Sequence, residues 1–116
     1  MPNGDDKNWI RLCIAVEGFR ARYQKWPETA LISKGTAEDI KGLFKPLTYE
    51  AVLAKLEILE VEGAPRIELV DNTGNRFNYG EEVGFEQEGD ARSWFGVTPD
   101  AHSHLLCIKL GRETAR

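Results

Sequence analysis

Two hydrophobic periodicities organise the chain. From Lys7 onward, Trp9, Leu12, Cys13, Val16, Phe19, Tyr23 and Trp26 recur at spacings of three and four, which places them on one face of a helix. Asp5 or Asp6 stands where an N-cap belongs. Pro27 disfavours helical backbone in the residue before it, so the pattern predicts a first helix over about residues 7–25.

Further along, the period changes to two. Ile67 and Leu69 alternate with Arg66, Glu68 and Val70, and Phe77 and Tyr79 alternate with Arg76 and Asn78. Between them lies Asp71-Asn72-Thr73-Gly74-Asn75, whose residues turn the chain or accept positive φ. This predicts a β-hairpin over 66–80, with one aliphatic-aromatic face and one polar face. Leu56 and Ile58 share a face just upstream, before the turn residues Glu62-Gly63-Ala64-Pro65. Strands near 55–61, 66–71 and 75–79 are therefore expected as an antiparallel meander. Thr29–Ser33 reads as a short strand, and the apolar run Ser103–Leu110 as a last one.

Short helices fill the intervals. One is expected over 36–45, capped by Thr36 with Asp39 behind it and stopped by Pro46. A second is expected over 48–54, capped by Thr48, with Leu47 and Val52 spaced as a hydrophobic staple. A third, over 90–95, has Asp90 as cap, Trp94 and Phe95 as anchors and Gly96 as its close. Residues 1–6 and 111–116 read as loose ends. The prediction is one α+β domain over 1–116: a long N-terminal helix packed on an antiparallel sheet of four to five strands, with the meander at 55–79.

Composition narrows the function classes. At 116 residues, 41% hydrophobic and 29% charged, the chain supports an ordinary core without disulfides or metal. A net charge of −4 speaks against a strongly cationic nucleic-acid or membrane binder. Cys13 and Cys107 are each flanked by apolar residues and read as buried reduced thiols, although an even count leaves a pairing open. No leader-like N-terminus and no run of roughly 18–20 apolar residues occurs, so a cytoplasmic protein is expected.

Motifs of chemistry are sparse. The glycines are scattered and form no phosphate-binding loop, so no cofactor is expected. His102 and His104 would share a strand face, but Cys107 would point the other way, which falls short of a metal site. No nucleophile signature surrounds Cys107, and Cys13 lies on the apolar stripe, where burial makes a thiol inert. Glu81, Glu82, Glu86 and Glu88 form an acidic loop that reads as a solvated surface.

The back of the first helix is more informative. Ile10, Ile14 and Ala21 form a second apolar ridge outside the main stripe, and Ile10, Ile14 and Gly18 follow one another every four residues, the row along which helices pack. This ridge suggests either a second cover from the same chain or a two-fold dimer. Arg11, Arg22 and Lys25 lie roughly opposite the stripe and raise nucleic acid, but the aromatics face the core rather than interleaving with them. The leading expectation is a small non-enzymatic interaction protein that self-associates through Ile10, Ile14, Gly18 and Ala21. The alternatives are a small-molecule-binding protein or enzyme with a pocket between helix and sheet at Tyr79, Glu81, Glu82 and Trp94, and a nucleic-acid-associated regulatory factor.

Overall fold

The computed structural model describes residues 7–63, 67–81 and 89–99. Glu82, Glu86 and Glu88 of the acidic loop, the expected strand over 103–110 with His104 and Cys107, His102 and both chain ends lie outside the described residues. The elements run α1 (Lys7–Tyr23), β1 (Thr29–Ile32), α2 (Lys34–Lys41), α3 (Pro46–Lys55), β2 (Glu57–Glu60), β3 (Ile67–Val70), β4 (Arg76–Asn78) and α4 (Gly89–Phe95). The class is α+β, with a long N-terminal helix and a four-stranded sheet.

The sheet is mixed rather than antiparallel throughout. Its order is β2-β1-β3-β4. β3 and β4 form the expected hairpin, with Leu69 opposite Phe77. The meander stops there, because β1 takes the place expected for β2. It pairs antiparallel with β3, Ala30 opposite Leu69, and parallel with β2, Ala30 opposite Ile58. Two physical reasons account for the order. Ala30 and Ile32 are fully buried, as a central strand requires, whereas β2 carries Glu57 and Glu60 and is largely exposed, as an edge tolerates. Parallel neighbours also need a long crossover, and α2 with α3 supplies it.

α1 lays Trp9, Leu12, Cys13, Val16 and Phe19 into the core with Ile67, Leu69 and Phe77 of the hairpin. It ends at Tyr23, ahead of Pro27: Gln24 takes a left-handed conformation with φ 64, and its N–H donates to the Arg20 carbonyl at 2.8 Å. Gly18 faces inward, away from the expected outer row. It is buried, and a Cβ built on it would overlap the Phe77 ring, so the missing side chain lets helix and sheet approach. Ile10, Ile14 and Ala21 are half-buried.

The short helices are shifted from expectation. α2 is entered from Ser33, in extended conformation, rather than from Thr36, and ends at Lys41 rather than 45. α3 starts at Pro46. A proline is well placed in the first turn, where its missing N–H is no loss, so Pro46 opens α3 rather than closing α2, which has already ended at Lys41. Leu47 consequently sits in the first turn and is 80% exposed, and it makes no staple with the buried Val52. At the far end α4 is tied down by α1: a Glu17 carboxylate oxygen accepts the Ala91 N–H at 2.9 Å in a buried setting, capping the short helix from a distant element. Gly96, with φ 77, closes it.

Candidate functional site: a groove between α2 and α3

The site begins with a turn. Between Lys41 and Pro46 the chain reverses through Gly42, whose N–H donates to the Glu38 carbonyl at 2.9 Å. This turn leads into a short link that carries Phe44, and residues of α2, the link and α3 line one groove. Phe44 is held from below by the edge-on ring of Trp9, with centroids 5.0 Å apart, and from the side by Tyr49 at 6.1 Å. Above these rings opens a groove of about 580 Å³. Phe44, Tyr49, Pro46 and Leu53 make it apolar, and Glu38, Lys41 and Glu50 stand around it. Its volume falls in the range of about 300–1,000 Å³ usual for ligand sites.

The helix beside the groove is unusual in composition. An ordinary surface helix turns polar residues outward. α3 buries Tyr49 and Val52, yet Pro46, Leu47, Leu53 and Ala54 are exposed and Ala51 is half-buried. Leu53 is 41% exposed, and with Leu47 and Leu59 it belongs to the large apolar side chains left in solvent among the described residues. At helical spacing, Pro46, Glu50 and Leu53 border the groove, while Leu47, Ala51 and Ala54 form the adjacent row. Burial raises the phenol pKa of Tyr49, and the nearby charge of Glu60 adds to the shift. Tyr49 is therefore a neutral, largely apolar wall at physiological pH.

The residues selected from sequence lie elsewhere, and several are engaged with one another. Arg22 and Glu81, expected in two different sites, form one ion pair with Nη1 and Oε1 2.7 Å apart. The other Glu81 carboxylate oxygen accepts the Asn78 N–H at 2.8 Å and its side-chain amide at 3.1 Å. The Asn78 N–H and then Arg22 hold the Glu81 carboxyl below its usual range, and the hydrogen bond to Glu81 raises the Arg22 pKa. The Arg22 guanidinium also lies 4.7 Å over the Phe77 ring. Tyr79 is half-buried against the core, with its N–H donating to the Ile67 carbonyl. Trp94 stacks on Trp26, rings 7° from parallel and 4.7 Å apart, and Arg20 lies 4.3 Å from the Trp26 ring. Glu82 lies outside the described residues.

The cations considered for nucleic acid are also partnered. Lys25 Nζ lies 2.8 Å from Asp71 Oδ2. Arg11 donates to the Asn8 side-chain carbonyl at 3.2 Å, and Asn8 donates in turn to Asp39 at 2.9 Å, linking α1 to α2. Cys13 is buried on the core face of α1. Among the described residues, no helix is long and apolar enough to cross a membrane.

The sequence places position 44 inside the helix expected over 36–45 and Leu47 in a staple, an arrangement that leaves no groove. The signal was present in Pro46. Read as a helix start, it places Leu47, Ala51 and Ala54 in one row and Pro46, Glu50 and Leu53 in the next, an apolar outer face interrupted by a single acid. No protein-family model, no curated protein sequence and no solved structure matches the chain.

Proposed function

We propose that the protein is a small non-enzymatic interaction protein that self-associates and acts in the cytoplasm. The observation that carries this reading is the outer face of α3, where Leu47 and Leu53 stand in solvent beside a groove floored by Phe44 and Tyr49. Apolar surface concentrated on one helix and its flanking groove is characteristic of association sites. The ion pairing of Arg22 and Lys25 with Glu81 and Asp71 favours this reading over a nucleic-acid factor, because those charges already have partners within the chain. The cytoplasmic assignment rests on the two cysteines set among apolar neighbours.

The test follows backbone amide resonances during dilution of the protein and, separately, during titration with a short amphipathic Leu/Ala helical peptide. Resonances of Phe44, Tyr49 and Leu53 are expected to move on dilution, and Leu53→Glu is expected to suppress the movement. Resonances that stay fixed under both treatments would refute an interaction site here.

A further inference from the structure

The two edges of the sheet are finished differently. In a strand, successive peptide groups face opposite sides. On β4, Phe77 and Tyr79 turn to β3, which leaves Arg76 and Asn78 facing outward. Side chains stop both: the Arg76 carbonyl accepts the Tyr23 hydroxyl at 2.8 Å, and the Asn78 N–H donates to Glu81 at 2.8 Å. On β2, the Glu57 and Val61 N–H groups bond to Glu28 and Ile32 at 3.0 Å each, so Ile58 and Glu60 face outward. Among the described residues nothing pairs with that edge. An unpaired edge is a template for another strand. Its side chains select the kind. Ile58 is half-buried on one face of the sheet and Leu59 is 42% exposed on the other, so an added strand gains apolar contact on both. Glu57, Glu60 and Glu62 are exposed and make the edge acidic, which repels a second β2 and favours a basic strand.

The chain itself carries such a strand in sequence. In Ser103–Leu110, Leu106, Ile108 and Leu110 alternate with Leu105, Cys107 and Lys109, so a strand here would be apolar on both faces. From Ala101 to Arg112 there is no acid, and Lys109 and Arg112 are basic. The length also suffices. The described chain ends at the buried Pro99, just after α4, which packs on α3, and α3 packs on β2. From Pro99 to Leu105 an extended chain spans about 20 Å, roughly two helix diameters, which is enough to pass α3. We propose that Ser103–Leu110 adds to the free edge of β2 in the same chain as a fifth strand. Its wholly apolar side, with Leu106, Ile108 and Leu110, goes to the face of Ile58, which packs on the core. Leu105, Cys107 and Lys109 share the outer face with Leu59. The pairing is independent of self-association and stands or falls without it.

Native-state hydrogen exchange on the full chain reads the edge. The Ile58 and Glu60 amides are expected to exchange about 100-fold or more below the unstructured rate, equally at about 50 μM and about 1 mM protein. Leu106→Pro and Cys107→Pro alter neighbouring residues, so only one of them removes a donor that faces β2. That variant should lose at least about ten-fold more protection than the other, while Glu57 and Tyr79 stay protected in both. Cross-linking gives a second measurement without proline. At least one of Leu59→Cys and Glu57→Cys should form a disulfide with Cys107 within the monomer under mild oxidation, and Ile58→Cys, on the opposite face, should not. Ile58 and Glu60 amides that exchange at the unstructured rate in wild type would overturn the inference. Protection that rises with concentration would assign the strand to a second copy and overturn the pairing within one chain. Protection unchanged in both proline variants would mean that something else covers the edge, and would overturn it equally.

Discussion

Asp71 receives four hydrogen bonds from its own turn: the N–H and hydroxyl of Thr73 at 2.9 and 2.8 Å, and the N–H and side-chain amide of Asn75 at 3.1 and 3.0 Å. Lys25 reaches the same carboxylate from beyond the end of α1. Burial opposes ionisation, but Lys25 and the turn donors outweigh it and hold the carboxyl far below its ordinary value of 3.8. A carboxylate with a depressed folded pKa contributes stability above its unfolded pKa and loses it as pH falls toward the folded one. The melting temperature is therefore expected to fall as pH drops from about 5 to about 2. Asp71→Asn keeps one acceptor oxygen but loses the Lys25 ion pair, so its melting temperature should be lower at neutral pH and its acid slope shallower. An unchanged slope in the variant would assign the acid sensitivity to other carboxylates.

At the scale of elements, the contact between α1 and β4 depends on what Gly18 lacks. An interior helix glycine is unfavourable by about 1 kcal/mol relative to alanine, so Gly18→Ala would stabilise an isolated helix. Here the added methyl meets the Phe77 ring, which is itself buried and has little room to yield. Overpacking of a dense core costs about 1–3 kcal/mol. The net expectation is a loss of about 1 kcal/mol in urea unfolding, partly recovered in Gly18→Ala with Phe77→Leu. A stabilised single variant would mean that helix and sheet slide apart without cost. The α1 stripe itself was legible in the sequence because its period is unbroken from Trp9 to Tyr23. The inward turn of Gly18 was not, since a glycine has no side chain to mark a face and the row through Ile10 and Ile14 suggested the opposite one.

At the scale of the whole molecule, β1 joins what the sequence presents as separate parts. The hairpin from Ile67 to Asn78 could be read directly, because its alternation and its turn lie together. The place of β1 could not: Thr29–Ile32 is four residues long, and strand pairing over long separations leaves no local mark. The groove was hidden for a related reason, since Glu38 and Lys41 of α2 come around it with Tyr49, Glu50 and Leu53 of α3 only in the folded crossover between β1 and β2. β1 bonds to β2 on one side and β3 on the other, and Ile32 is fully buried at this seam. Two amides report the two sides: the Glu57 N–H, bonded to the Glu28 carbonyl at 3.0 Å, and the Tyr79 N–H, bonded to the Ile67 carbonyl at 2.9 Å. If β1 couples them into one cooperative unit, Ile32→Ala should lower the opening free energy of both amides equally, by about 2–5 kcal/mol, the usual range for truncating a buried isoleucine. Native-state hydrogen exchange measures this directly. Loss of protection at Glu57 alone would show that β2, with the groove beside it, opens independently of the hairpin and α1.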